Sequence, residues 1–392
     1  MYKFILKSDK RTVTIELVVW KNSKLDTVCV SFLERGMNCR LRLWQIRQVN
    51  TKDGRIVVNM KQRKWMKGAA VAAIAAMSMG MLAGCGGGAD GQQYKVGVVQ
   101  LVQHGALDLA NQGMIDGLKD NGFEEGKNLT INQQNAQNDQ SNLQNIAQQF
   151  ISEDADVILA IATPAAQVMA SATEDIPIVG TAITSFPDAG LVESNEAPGT
   201  NVTGTNDMTP VAEQIDLLLQ VVPDAKTIGT IYTSSEKNSQ IQIGILKEVA
   251  AERGLTIEDR SIQTVNDIQQ AAQSLVGEVD ALWLPTDNNV ASAMSQVISI
   301  TDEAGLVVLG GEESQVTAGA TLTYGINFYQ IGYNAGVMAA QILSGESTPA
   351  EMPVQDPSEF TLVINQDAVE ILGIEIPDEL MEKAELVKTE AK

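Results

Sequence analysis

The stretch DVILAIATP at residues 156–164, laid beside DALWLPTD at residues 280–287, decides the fold. Each begins on an aspartate, continues as a short apolar run, and ends on a threonine with a proline beside it. A run this short, bounded by turn-forming residues, is a strand buried on both faces, which is what a parallel sheet covered by helices requires. The neighbouring segments extend the match: IPIVGT at 176–181 echoes LVVLGG at 306–311. Upstream, residues 95–139 read strand, helix, Gly122 turn, strand, and residues 227–267 repeat that order around Gly254. Self-similarity of this kind marks a doubled unit.

Working outward, strands are expected at 95–100, 129–133, 156–162, 177–181, 227–232, 255–259, 280–284 and 306–310. Helices are expected at 107–121, 141–153, 165–173, 210–221, 236–253, 266–276, 288–304 and 328–344. The alternation is that of an α/β protein with parallel sheets. Two similar lobes follow, joined at about residues 205–210. Lobe I takes 94–207 plus about 320–345, and lobe II takes 208–319 plus about 346–392, with the strand near 360–365 returning to lobe II.

The front of the chain has a different character. Residues 60–84 carry Lys61, Arg63, Lys64 and Lys67 and no acid, then an apolar run from Ala69 to Leu82. That run is shorter than the roughly 20 residues of a membrane-spanning helix and ends in small residues, as a secretory signal does. Leu82-Ala83-Gly84-Cys85 resembles the bacterial lipobox, which implies cleavage before Cys85, lipidation of its sulfur, and a glycine-rich tether over 85–93. A signal peptide acts from the N-terminus, so Met60 is the expected start and residues 1–59 an upstream extension. The other reading of 1–59 is a basic cytoplasmic segment.

Of the 392 residues, 27 are Lys or Arg and 49 Asp or Glu, for a net charge of −22. Residues 85–392 hold 11 of the basic and 44 of the acidic residues, so this part alone carries −33. Such a surface repels phosphate backbones and anionic lipid, which excludes nucleic acid as a partner. Three cysteines and one histidine, His104, supply no zinc site and no nucleophile with a base. No metal, no cofactor and no enzyme activity are expected.

In open parallel sheets, ligands bind beyond the carboxyl ends of the strands. The polar residues falling there are the candidate ligand contacts. In lobe I they are Gln100, His104, Asn135, Thr163 and Thr184; in lobe II, Tyr232, Ser234, Glu236, Asn238, Thr286, Asp287, Asn288 and Glu312; and at the crossover, Asn327. Past residue 85 the only arginines are Arg253 and Arg260, both placed away from these ends, so no bidentate clamp is on hand for a dianion or phosphate. A ligand carboxylate would rest on helix N-terminal N–H groups and Thr, Ser or Asn side chains. A ligand ammonium would meet Asp287, Glu312 or Glu236. That balance suits a zwitterionic amino acid. Tyr232, Trp283, Phe328 and Tyr329 are the few aromatic side chains available to a sugar.

The run Gln134-Asn135-Ala136-Gln137, then Asp139 to Leu143, Ala162 to Gln167, Asn201 to Gly204, and Pro285-Thr286-Asp287-Asn288 resemble the ABC-transporter substrate-binding lipoproteins of the tryptophan/tyrosine type. The resemblance spans about residues 94–375. It implies a type I periplasmic-binding-protein fold of two Rossmann-like lobes and a hinge. It also implies an aromatic amino acid as ligand, and a membrane permease and ATPase as partners of a lipid-anchored, extracytoplasmic monomer. The family pattern places an acid directly after the strand where this chain has Thr184, so the amine contact stays open. A receptor lipoprotein that signals to a membrane partner is the alternative; genes for a permease and an ATPase beside this one would favour transport. Peptide mapping of the expressed precursor is expected to begin at Met60, and peptides from residues 1–59 would overturn that start.

Overall fold

A computed structural model describes residues 2–8, 11–17, 51–52, 55–56 and 93–390. The chain divides into two units, Met1–Gly87 and Gly88–Lys392. In the first, β1 (Tyr2–Ser8) pairs antiparallel with β2 (Arg11–Leu17), and β3 (Thr51–Lys52) with β4 (Arg55–Ile56). The expected signal segment, Cys85 and the glycine tether up to residue 92 lie outside the described residues.

The second unit contains two sheets. The first joins β5 (Tyr94–Gln100), β6 (Leu129–Asn135), β7 (Val157–Ile161), β8 (Ile178–Ile183) and β9 (Val202–Asn206) in the order β6-β5-β7-β8-β9, all parallel. The second holds β10 (Thr227–Thr233), β11 (Thr256–Ile262), β12 (Ala281–Trp283), β13 (Val307–Leu309) and β14 (Leu322–Gly325) in the matching order β11-β10-β12-β13-β14. It then adds β15 (Thr361–Asn365), antiparallel to β14, and β16 (Glu385–Val387). The doubled sequence is thus a doubled topology, the doubly wound order of flavodoxin-like sheets.

The repeated aspartates show why the two halves fold alike. Asp156 accepts the Lys95 N–H at 2.7 Å, and Asp280 accepts those of Lys226 and Thr227 at 2.7 and 2.8 Å. Each carboxylate satisfies the free donors where the neighbouring strand begins. β7 and β12 are buried throughout, and apolar side chains cover both faces of each sheet. That dryness on both faces is what made the runs wholly apolar.

Helices fill the connections. Lobe I has α1 (Gly105–Asp120), α2 (Gln140–Ser152) and α3 (Thr163–Ala172). After the crossover come α4 (Val211–Val221), α5 (Lys237–Arg253), α6 (Ile268–Leu275), α7 (Asn288–Ser292), α8 (Met294–Ala304) and α9 (Glu313–Thr317). α10 (Phe328–Leu343) returns to the first core, and α11 (Gln366–Leu372) and α12 (Asp378–Met381) finish the chain. No helix among the described residues is long and apolar enough to cross a membrane.

Several expectations need correction. The helix expected over 288–304 is two helices, because Ala293 leaves the helical region at φ −122° and ψ 24°. β9 was not expected, although all five residues are buried; its threonines satisfy themselves, Thr203 donating to the Met352 carbonyl and Thr205 to Thr181 Oγ1. Buried hydroxyls conceal such a strand from a reading of hydropathy. The lobe boundaries shift as well. β14 is paired into the second sheet, so lobe I regains the chain near residue 327 and not 320. Met352 and Val354 belong to the first core, and Gln355 bridges Thr205, so lobe I keeps the chain to about residue 356 and not 345. Apolar burial against β9 holds this segment where sequence alone assigned it to lobe II.

α1 and α10 pack almost backbone to backbone. A Cβ on Gly332 would lie 2.1 Å from the Ala110 carbonyl oxygen, and one on Gly113 would lie 2.2 Å from that of Tyr329. Glycines at 113, 117, 332 and 336 therefore set the spacing that brings the N-terminal ends of both helices, His104 and Phe328, to one cavity. Gly332→Ala is expected to lower thermal stability by about 1–3 kcal/mol through overpacking. Gly244→Ala in α5, where a Cβ meets nothing within 4 Å, should raise it by about 0.5–1 kcal/mol. Paired thermal melts of the two variants check both signs.

Candidate functional site

The carboxyl ends of both sheets face one cavity lined from both lobes. On the lobe I side, β5 ends at Gln100, whose carboxamide accepts from Asn111 at 2.9 Å and donates to Asp108 at 2.6 Å. Gln100 thereby fixes the first turns of α1 and does not line the cavity. His104 caps α1 and does line it. After β6, Asn135 accepts the Gln137 N–H at 2.8 Å, and Gln137 and Asn138 follow in left-handed conformation at φ 54° and 57°. Asn135 is exposed and shapes this turn; Asn138 is the residue it delivers to the cleft.

Backbone strain continues along the same edge. Ala162 after β7 sits at φ 86° and Ala182 in β8 at φ 55°, conformations costly for a residue with a Cβ. Ala182 lines the cavity. Thr163 opens α3 with its Oγ1 buried and unpartnered. Thr184 lies one step behind the wall and donates to Asp207 Oδ1 at 2.8 Å. Asp207, at the crossover after β9, faces the cavity and is fully shielded, and burial pushes its carboxyl up to about 6. It is an acid that this edge presents to the cavity, held there by Thr184. Asp207 was missed because the strand that carries it was missed.

In lobe II, Asp287 is an anchor. Its oxygens accept Thr233 N–H at 2.6 Å, Thr233 Oγ1 at 2.8 Å, Ser239 Oγ at 2.6 Å and Val290 N–H at 3.0 Å. It lines the cavity, and its hydrogen bonds all run into its own lobe. Glu236 lies behind the wall and accepts from Asn238 Nδ2 at 2.9 Å and Asn288 Nδ2 at 2.6 Å. Burial, and then the neighbouring Asp287 charge, push it far above the usual carboxylate range. Glu312 faces the cavity, caps α9 through Ser314, and is pushed up to about 7 by burial. Thr286, Asn238 and Asn288 complete this side, with Thr286 held by Gln242 at 2.8 Å.

Three expected contacts lie elsewhere. Tyr232 packs on the second core, Ser234 is exposed and donates to the Ile262 carbonyl, and Asn327 is an exposed cap of α10. Trp283 is buried in lobe II against Gln214 and Tyr329 pairs with Asp116 on α1, so neither reaches the cleft. Of the four aromatics named from sequence Phe328 alone lines it, and Leu107, Ala291 and Gln315 line it unannounced. They are helix-start positions on which the pattern in one strand gives no information. Among the described residues no group of His, Cys, Asp and Glu could hold a metal ion.

The two lobes touch directly. His104 Nε2 lies 3.3 Å from Asn288 Oδ1, and Asn138 Nδ2 donates to Asn289 Oδ1 at 2.6 Å. A Cβ on Gly105 of lobe I would come within 2.7 Å of Ser314 Cβ in lobe II. This is a closed cleft.

The buried acids set a pH response. Their raised folded-state values favour the protonated form, so the stability they contribute is present below their unfolded values and is lost as pH rises through the folded ones. His104, pulled down to about 4 by burial, acts oppositely below pH 6.5. The unliganded protein should therefore lose on the order of 1–2 kcal/mol between about pH 6.5 and 8. Glu312→Gln should flatten the decline, as measured by denaturant melts across that window.

The chain matches the family described as ABC transporter substrate binding protein over residues 95–388. A relative from Clostridioides difficile (strain R20291), named tyrosine-binding protein, is 40% identical over 284 residues, covering 72% of this chain and 82% of that one. The solved structure of an ABC domain in complex with L-Trp from Streptococcus pneumonia is 35% identical, covers 76% of this chain and 100% of its own, and superposes with a TM-score of 0.73. A ligand-free, open substrate-binding protein with adhesive properties from Clostridium difficile is 43% identical at the same coverage, with a TM-score of 0.60. The better superposition goes with the liganded relative and not with the higher identity, as a difference in hinge angle would produce. The shared doubly wound lobes, the cleft between them and the match across most of the chain place this protein in the family of ABC transporter substrate-binding proteins.

Proposed function

We propose that the protein captures a zwitterionic aromatic amino acid, L-tyrosine or L-tryptophan, in this cleft and presents the closed form to a membrane permease and its ATPase. The observation that carries the reading is the buried Asp207 carboxylate facing a cavity that no lysine or arginine lines. An uncompensated buried acid is costly unless a cation joins it, and an α-ammonium is such a cation. Phe328, Leu107 and the alanines at 106, 182 and 291 offer an apolar wall to a ring. The ligand carboxylate would rest on N–H groups at helix starts, where the unpartnered Thr163 hydroxyl also stands. The tyrosine-binding name of one relative and the bound L-Trp of another support the aromatic class.

Members of this family work outside the cytoplasm. We further infer that this one is held there as a monomer by lipid on Cys85, a reading supported by the lipobox-like Leu82-Ala83-Gly84-Cys85. Closure then follows from ligand groups that touch both lobes, since only contacts absent from the open state favour the closed one. Binding, with no chemistry performed on the ligand, is the whole of the proposed activity.

A thermal-shift screen of the full chain against aromatic and branched-chain amino acids, small peptides and sugars tests the reading. A true ligand at about 100 times its Kd adds roughly 2.7 kcal/mol, a shift of a few degrees. Asp207→Asn should raise unliganded stability at pH 7 while weakening amino-acid binding at least tenfold, by about 1.4 kcal/mol or more. A shift only with sugars, or unchanged affinity in Asp207→Asn, would overturn it.

A further inference from the structure

Two buried polar atoms of the cavity residues have no partner, His104 Nδ1 and Asn238 Oδ1. Their chemistry can be worked out from their neighbours. Asn288 donates its Nδ2 to Glu236 Oε2 at 2.6 Å, so its Oδ1 is the atom that faces His104 Nε2 across the cleft. An amide oxygen only accepts, hence Nε2 must carry the imidazole proton. Burial keeps the ring neutral by pulling it down to about 4, and a neutral ring protonated at Nε2 has a bare acceptor at Nδ1. Asn238 is fixed in the same way: its Nδ2 goes to Glu236, leaving Oδ1 to accept. Two residues that line the cavity thus each keep one buried acceptor without a donor.

We propose that His104 Nδ1 reads a donor on the ligand's ring, a phenol O–H or an indole N–H, and so separates tyrosine and tryptophan from phenylalanine. This rests on the aromatic amino acid reading and adds the means of discrimination within it. The placement favours the ring over the α-ammonium. His104 is followed in α1 by Ala106 and Leu107, which line the cavity beside it with Phe328, whereas Asp207 and Glu312 are the stronger partners for a cation. A site that leaves an acceptor buried and unpaired rejects the analogue lacking the donor.

Substitutions separate the two nitrogens. Gln places an amide near the position of Nε2 and keeps the bond to Asn288 while deleting the Nδ1 acceptor; Asn places its oxygen near Nδ1. Calorimetric titration of the full-length wild type should give Kd values for L-tyrosine and L-tryptophan roughly ten- to hundredfold below that for L-phenylalanine. His104→Gln should remove that preference and leave phenylalanine within about threefold, and His104→Asn should restore part of it. The chain has one histidine, so its imidazole nitrogens give a single assignable pair in ¹⁵N NMR. The Nδ1 resonance should move with tyrosine and tryptophan and stay with phenylalanine. Equal weakening of all three ligands in His104→Gln would assign Nδ1 to the α-ammonium and overturn the proposal, as would an Nδ1 resonance that ignores tyrosine and tryptophan. Wild-type protein that binds none of the three overturns the parent reading, and this one with it.

Discussion

The lobe II half of the cleft depends on the Asp287 carboxylate. Four donors from β10, α5 and α7 converge on it, and none is drawn from solvent. By closing the carboxyl end of β10 against the start of α7, it fixes where Asn288 and Asn289 emerge. Those two amides make hydrogen bonds to lobe I. A carboxylate so enclosed is stabilised by hydrogen bonds in place of a counter-ion, and a charge held that way tolerates no loss of a donor.

Around that anchor the molecule concentrates acid in a dry place. Glu236 and Glu312 are buried with it, and Asp207 faces them from the crossover, with no lysine or arginine lining the cavity between. The acidity of the region beyond residue 85 thus extends into the cavity between the lobes. Hydrogen bonds from within each lobe hold these groups: Thr184 donates to Asp207, Asn238 and Asn288 to Glu236, and Ser314 to Glu312. The strained alanines at 162 and 182 and the left-handed pair at 137 and 138 cluster at the carboxyl ends of the first sheet's strands.

Much of this was legible in the residues. The matched stretches at 156–164 and 280–287 gave the doubled parallel sheets because a strand buried on both faces has to be apolar along its length. Strand-end position then brought His104, Asn238, Thr286, Asp287, Asn288 and Glu312 to the cavity wall. The same logic placed Gln100, Asn135, Ser234 and Asn327 at strand and helix ends without placing them in the site. Such residues are as useful for holding a turn as for holding a ligand, and a sequence does not say which way a side chain points.

What the sequence by itself determined is the architecture and its sign: two similar α/β lobes and a strongly acidic region beyond residue 85. These follow from periodicity and composition, which act locally and add along the chain. Only the tertiary structure decided that Asp207 faces the cavity, where the chain changes lobes, and that β9 exists at all. Asp207 acquires its role from a strand of buried threonines, and the segment at 346–356 from its burial against that strand. Both are contacts between residues far apart in sequence, with hydroxyls satisfied across the fold. No local pattern of hydropathy records a hydrogen bond whose partner lies some 150 residues away.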